Sequence, residues 1–527
     1  MTLPRVTYSN IRADFSGVHD LLDRRIPAFR QEMLGKSWPN RVGGQAESGG
    51  ERYAAPCPID RRVMLGEFVA GDAAAVDRAV RAAKEAFASW SRTAWQERVR
   101  LTRRLADELE ARKYDLGIAC LLEVGKSRFE AMGEAEEAVD LARYYADEME
   151  ANAGFARDLR RAFPQEATSD RLRPVGVFGV ISPFNFPLAL SVNMIAGALL
   201  GGNTVVYKPS PFAGLTGCLL VQAIEAAGFP RGAVNLLCGG AATGQALEDH
   251  SGVDGYAFTG SHAVGMGLLR AVAAGRYNRP VIVEMGGKNP SYVTKSADLD
   301  VAAEGVMRSA FGLQGQKCSA GSKVYVDAAV KDAFLEKLFA GTARIKIGDP
   351  AGRDIFMGPL IDERALTRFR DTVATVRRDG QLLAGGDVLS GGLHDHGAYV
   401  TPTIVETPAA HAINKDELFL PLLSVLTFSD LASAIADGND VQYGLTAGCY
   451  AADQSELNLF LERAEAGALY VNRASGATTG AWPGVQSFCG WKGSGATSKG
   501  GLGPYYLTQF MREQSRTIWR DSFPGRV

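Results

Sequence analysis

The period of apolar positions changes twice along the chain, and the changes divide it into regions. In GDAAAVDRAVRAAKEAFASW, Val76, Val80, Ala83, Phe87 and Trp90 recur at three- and four-residue intervals, which predicts an amphipathic helix capped by Asp72. Two more helical stretches follow, at about 95–112 and 127–152. Residues 1 to about 70 are mixed and hold turn-rich pieces such as VGGQAESGGERY, so they read as an irregular lead-in packed on the body. From about residue 174 the pattern becomes short apolar runs ending in Gly, Pro or Ser and separated by helical stretches: VGVFGVISP, NTVVYKPS, AVNLLCGG, GYAFTGS and PVIVEMGG. That alternation predicts β-α-β units and a parallel sheet, an α/β fold whose ligands sit at the carboxyl ends of the strands. A second α/β stretch, about 290–470, opens with the helix LDVAAEGVMRSAFG, which leads into QGQKCSAGS. The closing YYLTQFMREQSRTIWR alternates as a long strand, and an exposed terminal strand needs a partner, so homo-oligomerisation through it is expected.

Composition narrows the class of function. With 527 residues, 46% hydrophobic and 22% charged, the chain is globular and long enough for two or more domains. A formal net charge of -2 removes the electrostatic reason to expect nucleic acid or an anionic membrane as partner, which leaves a small molecule. No apolar run is long enough to span a bilayer, and MTLPRVTYSNIRADFSG lacks the apolar core of a signal peptide, so a cytoplasmic protein is expected. The seven cysteines are scattered, with no CxxC pair and no histidine spacing for zinc; free thiols and no metal are expected.

Four places carry candidate chemistry. Cys318 lies in GQKCSAGS among small and polar neighbours beside Lys317, where a substrate could approach; the residues alone leave open whether it is a nucleophile or an inert buried thiol. Glu284 ends the run PVIVEMGG, either as an ion-paired strand end or as a general base whose pKa is raised by partial burial. Asn185 sits in ISPFNFPL between two prolines, where a fixed amide either organises its own turn or donates to a developing oxyanion. In FTGSHAVG, Gly260, Ser261 and Gly265 open a helix whose free N–H groups favour a phosphate.

Taken in order, ISPFNFP, YKPSP, FTGS, VEMGGKNP, GQKCSA and DELFLP resemble the aldehyde dehydrogenase superfamily over about residues 55–515. The resemblance implies Cys318 as nucleophile, Glu284 as the base that activates water, and Asn185 with the Cys318 backbone N–H as oxyanion hole. It implies a dinucleotide along Ile181, Ser182, Pro183 and Phe184, with Lys208 at the adenosine ribose, Gly260 and Ser261 near the pyrophosphate, and Glu417 and Phe419 at the nicotinamide ribose and ring. Ser210, Gly239, Val264, Met285 and Gly286 are implied as further cofactor-binding residues. Pro211 stands where the family often has an acidic residue that holds the ribose hydroxyls, so NAD is expected with NADP left open. The implied organisation is a lead-in and helical part of the cofactor domain over 1–154, an oligomerisation arm beginning at 155–173 and a Rossmann-type domain over 174–286. A catalytic domain over 287–485 follows, then a return to the core and a terminal oligomerisation strand over 486–527.

Within that superfamily, LEVGKSRFEAMGEAEEAVDLARYYADE, DLDVAAEGVMRSAFGLQGQKCSAGS and ALYVNRASGATTGAWPGVQSF are similar to the glutamate γ-semialdehyde (1-pyrroline-5-carboxylate) dehydrogenases of proline breakdown. The similarity implies that Ser319 and the backbone N–H groups of Gly480 and Ala481 anchor the substrate carboxylate, with Phe186 and Phe488 lining the pocket, and a separate proline dehydrogenase as metabolic partner. The loop carries about three extra residues near ASGATT, and SFCG replaces the usual PFGG, so an aliphatic, aromatic or other semialdehyde substrate stays open. A CoA-acylating enzyme is disfavoured by Glu284, a catalytically silent relative by the intact Cys318, Glu284, Asn185, Lys208 and Glu417, and half of a bifunctional proline oxidase by length.

Overall fold

The computed structural model describes residues 3–10, 13–474 and 481–519. Two seven-stranded sheets dominate it. In the first, the strands run Val281–Glu284, Gly255–Thr259, Val177–Ile181, Thr204–Lys208, Val234–Leu236, Asn40–Val42 and Gln45–Glu47; the first five are mutually parallel and the last two join antiparallel. The five apolar runs of the sequence are these parallel strands. Chain order reverses between Val177–Ile181 and Gly255–Thr259, which opens a crevice at their carboxyl ends. In the second sheet the order is Gln381–Ala384, Thr403–Glu406, Leu422–Phe428, Gly321–Asp327, Asn289–Val293, Thr446–Tyr450 and Ala468–Val471, parallel except for the first strand. A third sheet pairs Met511–Trp519 with Glu166–Pro174 over nine residues, and the latter with Ala156–Asp158.

The lead-in is more regular than its sequence suggests. Helix α1 spans Ser16–Met33 and buries Val18, Leu22, Ile26 and Phe29 despite Pro27 inside it, and Asn40–Glu47 extends the first sheet. Helix α2, Ala73–Trp90, is the predicted amphipathic helix, with the Asp72 side chain accepting from the Ala75 N–H at 2.7 Å; Phe87, placed on its apolar stripe by periodicity, is only half-buried. Helix α3 runs from Trp95 to Val124, twelve residues past the predicted end, because its last nine residues, Leu116–Val124, are all buried and show no amphipathic period. Gly125 at φ 75° stops it, and helix α4, Arg128–Ala151, follows under a Ser127 cap. The terminal strand covers Met511–Trp519 only; Leu507–Phe510 forms a 3₁₀ turn, and Tyr506 stacks on the buried Tyr145. Among the described residues no helix is long and apolar enough to cross a membrane.

Candidate active site

The end of a strand of the first sheet and the loop before a strand of the second border one cavity, and the candidate chemistry lies there. Glu284 is the last residue of Val281–Glu284, as the carboxyl-end rule predicts. Cys318 departs from that rule: it precedes the amino end of Gly321–Asp327. The loop before it is tightly determined. Leu313, Gln314 and Gly315 all have positive φ (49°, 58° and 66°), and a β-carbon on Gly315 would collide with the Leu420 carbonyl. Non-glycine residues hold such angles only where surroundings enforce them. Here Gln314 donates to the carbonyls of Gly125 and Pro359 at 3.0 and 2.7 Å, and Gln316 accepts from the Ile361 N–H at 3.0 Å. Asn289, to which the sequence assigned no role, donates to the Cys318 and Ala320 carbonyls at 2.7 and 2.9 Å and accepts from the Thr446 N–H at 3.0 Å. One buried amide thus ties the Cys318 loop to two strands.

Cys318 and Glu284 line one cavity together with Phe186, Ser319, Ala481 and Phe488, so the sequence candidates from four separate stretches converge. Gly480 lies outside the described residues. Asn185 is buried and donates one amide hydrogen to the Gln316 carbonyl at 2.9 Å, two residues before Cys318, which leaves its second hydrogen free of a protein partner. Burial pushes the Cys318 thiol up to about 12, with Glu417 and Glu284 adding to the effect. Burial also holds the Glu284 carboxyl well above the usual range, and its Oε2 is buried without a hydrogen-bond partner. Burial thus disfavours the charged form of both groups.

The wall beneath Phe186 is an internal ion pair that the sequence did not single out. Lys126 and Glu134 are fully buried, 2.5 Å apart, and the Lys126 ammonium lies 3.6 Å from the centroid of the Phe186 ring. Glu134 Oε1 also accepts from the Leu188 and Ala189 N–H groups at 2.8 and 3.2 Å, where the helix Ala189–Leu200 begins, so this pair braces the turn carrying Asn185 and Phe186. Tyr8 and Glu137 join the same cavity from the lead-in and α4, without a local sequence signal.

The dinucleotide candidates lie along the crevice of the first sheet. Ile181 ends one strand and leads into Ser182, Pro183 and Phe184; the Ser182 N–H donates to the Lys208 carbonyl at 3.2 Å. Among the described residues the buried Lys208 ammonium has only the Pro209 carbonyl as a hydrogen-bond partner, and burial pulls its pKa down to about 8, so it is a donor in need of an acceptor. Ser210 is occupied in capping the turn at Phe212, and Gly239, at φ 142°, abuts Thr243. Gly260 donates its N–H to the Glu284 carbonyl, which spends that group within the protein. Ser261 caps the helix His262–Ala273, from which Val264 projects 52% exposed. Met285 and Gly286 are pinned by Ser494, and Glu417 accepts from the Gly287 N–H at 2.9 Å where a β-carbon on Gly286 would collide with its carboxylate. Phe419, at φ 57°, places its ring edge-on to Phe184 at 5.9 Å.

Residues 45–515 match the model of the Aldehyde dehydrogenase family. The 1-pyrroline-5-carboxylate dehydrogenase 1 of Halalkalibacterium halodurans is 34% identical over 93% of this chain and 94% of its own length. The alpha-ketoglutaric semialdehyde dehydrogenase of Bacillus subtilis is 34% identical over 83% and 90%. The solved structure of a Thermus 1-pyrroline-5-carboxylate dehydrogenase with bound NAD superposes with a TM-score of 0.92 at 30% identity, covering 98% of this chain and 99% of that one. A shared fold over nearly the whole length, with a cysteine and a glutamate brought together in one cavity, leads to one conclusion: the chain belongs to the aldehyde dehydrogenase family.

Proposed function

We propose that this protein oxidises glutamate γ-semialdehyde, the open form of 1-pyrroline-5-carboxylate, to glutamate with NAD. The observation that carries the reading is the single cavity shared by Cys318, Glu284, Ser319 and Ala481: nucleophile and base at one end, polar anchors for a carboxylate tail beside them. The names of the Halalkalibacterium and Thermus relatives support the substrate, and the NAD bound in the latter supports the cofactor.

The residues fit a dinucleotide on their own evidence. Lys208 is a buried cation lacking a carboxylate, a β-carbon on Gly240 would meet open space, and Val264 offers exposed apolar surface above the crevice. Lys208 would hold ribose hydroxyls, Ser261 the region of the pyrophosphate, and Glu417 and Phe419 the nicotinamide end. When bound, NAD supplies the two-electron acceptor that the oxidation needs.

In the protein's part of the mechanism, the Cys318 thiol loses its proton to water, and the thiolate sulfur forms a bond to the aldehyde carbon as the C=O π pair moves onto oxygen. Asn185, whose second amide hydrogen is free, and the Cys318 N–H hold the oxyanion of the thiohemiacetal. After oxidation to the thioester, Glu284 takes a proton from water as that water attacks the acyl carbon; the C–S bond breaks and the thiolate leaves with the carboxylate product. Ser319 and the Ala481 N–H hold the α-carboxylate throughout.

Ser487 and Cys489 beside Phe488, and the Bacillus relative, favour one second reading, a semialdehyde with a different acidic tail. NADH formation with 1-pyrroline-5-carboxylate against succinate semialdehyde, propanal and benzaldehyde tests the choice. A lead for 1-pyrroline-5-carboxylate of orders of magnitude in kcat/KM, eroded by Ser319→Ala, supports the first reading; a lead for any other aldehyde rejects it.

The cofactor unit 174–286 and catalytic unit 287–485 are supported by the two sheets, and assembly as a homodimer or higher homo-oligomer by the nine-residue edge strand Met511–Trp519. Seven unpaired thiols support a cytoplasmic setting.

A further inference from the structure

Helix α4 presents Gly133, Glu136, Glu137 and Asp140 along one stripe, and the first residues of the chain lie across it. Arg5 bonds Glu136 through Nε and Asp140 through a terminal nitrogen, both at 2.9 Å. The Tyr8 hydroxyl donates to Glu137 Oε2 at 2.9 Å. A β-carbon on Gly133 would lie 2.8 Å from the Tyr8 ring, so the glycine makes room for it. The segment is folded on itself, with the Thr7 N–H donating to Asn10 Oδ1 at 2.8 Å and the Asn10 amide to the Arg5 carbonyl at 2.7 Å. From the other side Trp482, next to the substrate-loop residue Ala481, meets Tyr8 edge-on at 5.5 Å and donates to Asp140 at 2.9 Å.

Tyr8 is only 9% exposed, and it lines the cavity of Cys318 together with Glu137. It also lines a second, neighbouring cavity bounded by Phe15, His19, Arg128 and Phe356. The ring is therefore part of the partition between the two, and removing it would lengthen the space in front of Cys318.

We propose that Tyr8 is a specificity-determining residue: the chain's own N-terminal segment forms the tail-end wall of the aldehyde cavity, and the Tyr8 ring, clamped between Gly133 and Trp482, limits substrates to short aldehydes while its hydroxyl fixes Glu137 facing their polar tail. The inference rests on the reading of this cavity as the aldehyde site, but not on which short aldehyde it takes.

The test compares Tyr8→Ala, Tyr8→Leu and Tyr8→Phe in the full-length protein, reading kcat/KM for octanal relative to propanal. Tyr8→Ala is expected to raise that ratio about tenfold or more, since a few methylenes of extra room in an apolar pocket discriminate on that scale. Tyr8→Leu, which keeps an apolar side chain against Trp482, moves it the same way by less, and Tyr8→Phe keeps the wild-type ratio because the ring remains. A ratio unchanged in both Tyr8→Ala and Tyr8→Leu, or raised as much by Tyr8→Phe, overturns the proposal. If Tyr8→Ala does not fold, Tyr8→Leu decides. Failure of the proposed function shows separately, as wild-type protein that leaves glutamate semialdehyde unoxidised while turning over other aldehydes. A readout without turnover is alkylation of Cys318, followed on its peptide by mass: Tyr8→Ala and Tyr8→Leu should accelerate N-benzyliodoacetamide more than iodoacetamide, and equal acceleration of the two reagents counts against the wall.

Discussion

At the proposed reacting end of the cavity, Glu284 ends a strand of one sheet and Cys318 lies in the loop just before a strand of the other, and that loop is fixed by Asn289 and by Gln314 and Gln316. At the tail end, Tyr8, Glu137 and Ala481 come from a terminal segment, the middle of a helix and a loop, and are joined by ion pairs and ring contacts near the surface. The first construction suits groups whose position must hold to within fractions of an ångström for a bond to form. The second suits a wall that decides which substrates enter, because loosely anchored segments change without disturbing the chemistry.

The largest effect should come from breaking the reacting end outright. Cys318→Ala is expected to lower turnover about 10⁶-fold, the scale seen when a nucleophile is removed, for every aldehyde alike. NADH formation with several aldehydes checks this. A residual rate that depends strongly on the tail would mean that the two ends are not separate.

Glu284→Gln should lower steady-state turnover by roughly 100- to 10,000-fold while leaving a burst of NADH near one per active site, since the general base is needed to hydrolyse the thioester. Rapid mixing with NAD and aldehyde shows whether the burst survives; its loss would assign Glu284 to the first step instead. In the wild type, burial raises the pKa of both Glu284 and Cys318, the latter to about 12. Each acts after losing a proton, so raising pH populates the active form of both and kcat/KM should climb from pH 6 to 9. A profile that falls over this range would contradict the geometry.

The two ends also differ in how far their residues could be read from sequence. Glu284, Asn185 and Cys318 each stand in a short stretch whose glycines, prolines and apolar runs announce a strand end or a stiff turn. Tyr8 and Glu137 are 129 positions apart, and Trp482 and Asp140 are 342 apart, so no local pattern links them. Lys126, Glu134 and Glu137 are charged residues on or beside a helix, which periodicity assigns to solvent; only the packed structure shows them buried. In sequence the lead-in looks irregular because Pro27 and the glycine-rich turns that follow it obscure the four-, four- and three-residue spacing of Val18, Leu22, Ile26 and Phe29. The parallel strands were legible because strands buried on both faces are continuous apolar runs, and such runs ended in turn residues here.

Asn289→Ala sharpens the comparison from within the reacting end. It strands two carbonyls and the Thr446 N–H, and each unsatisfied buried group costs roughly 1–3 kcal/mol. The melting temperature should fall, and alkylation of Cys318 should change by a similar factor with small and bulky reagents, because the loop itself moves. A difference between the reagents would place Asn289 in the tail wall.

The smallest effect should come from Arg5→Ala. Arg5 is about half-exposed, and its pairs with Glu136 and Asp140 belong to the class worth roughly 0.2–1 kcal/mol each. Stability should therefore barely change, and propanal should be oxidised at the wild-type rate because nothing at Cys318 has moved. The Tyr8 ring, however, loses one of the ties that hold its segment on α4, so the octanal to propanal ratio should rise by a factor of about two, and high salt should produce part of the same rise in the wild type by screening the pairs. An Arg5→Ala protein that loses activity toward propanal and octanal equally would show that the terminal segment supports the reacting end as well, and the division between a rigid site of chemistry and an adjustable wall would have to be given up.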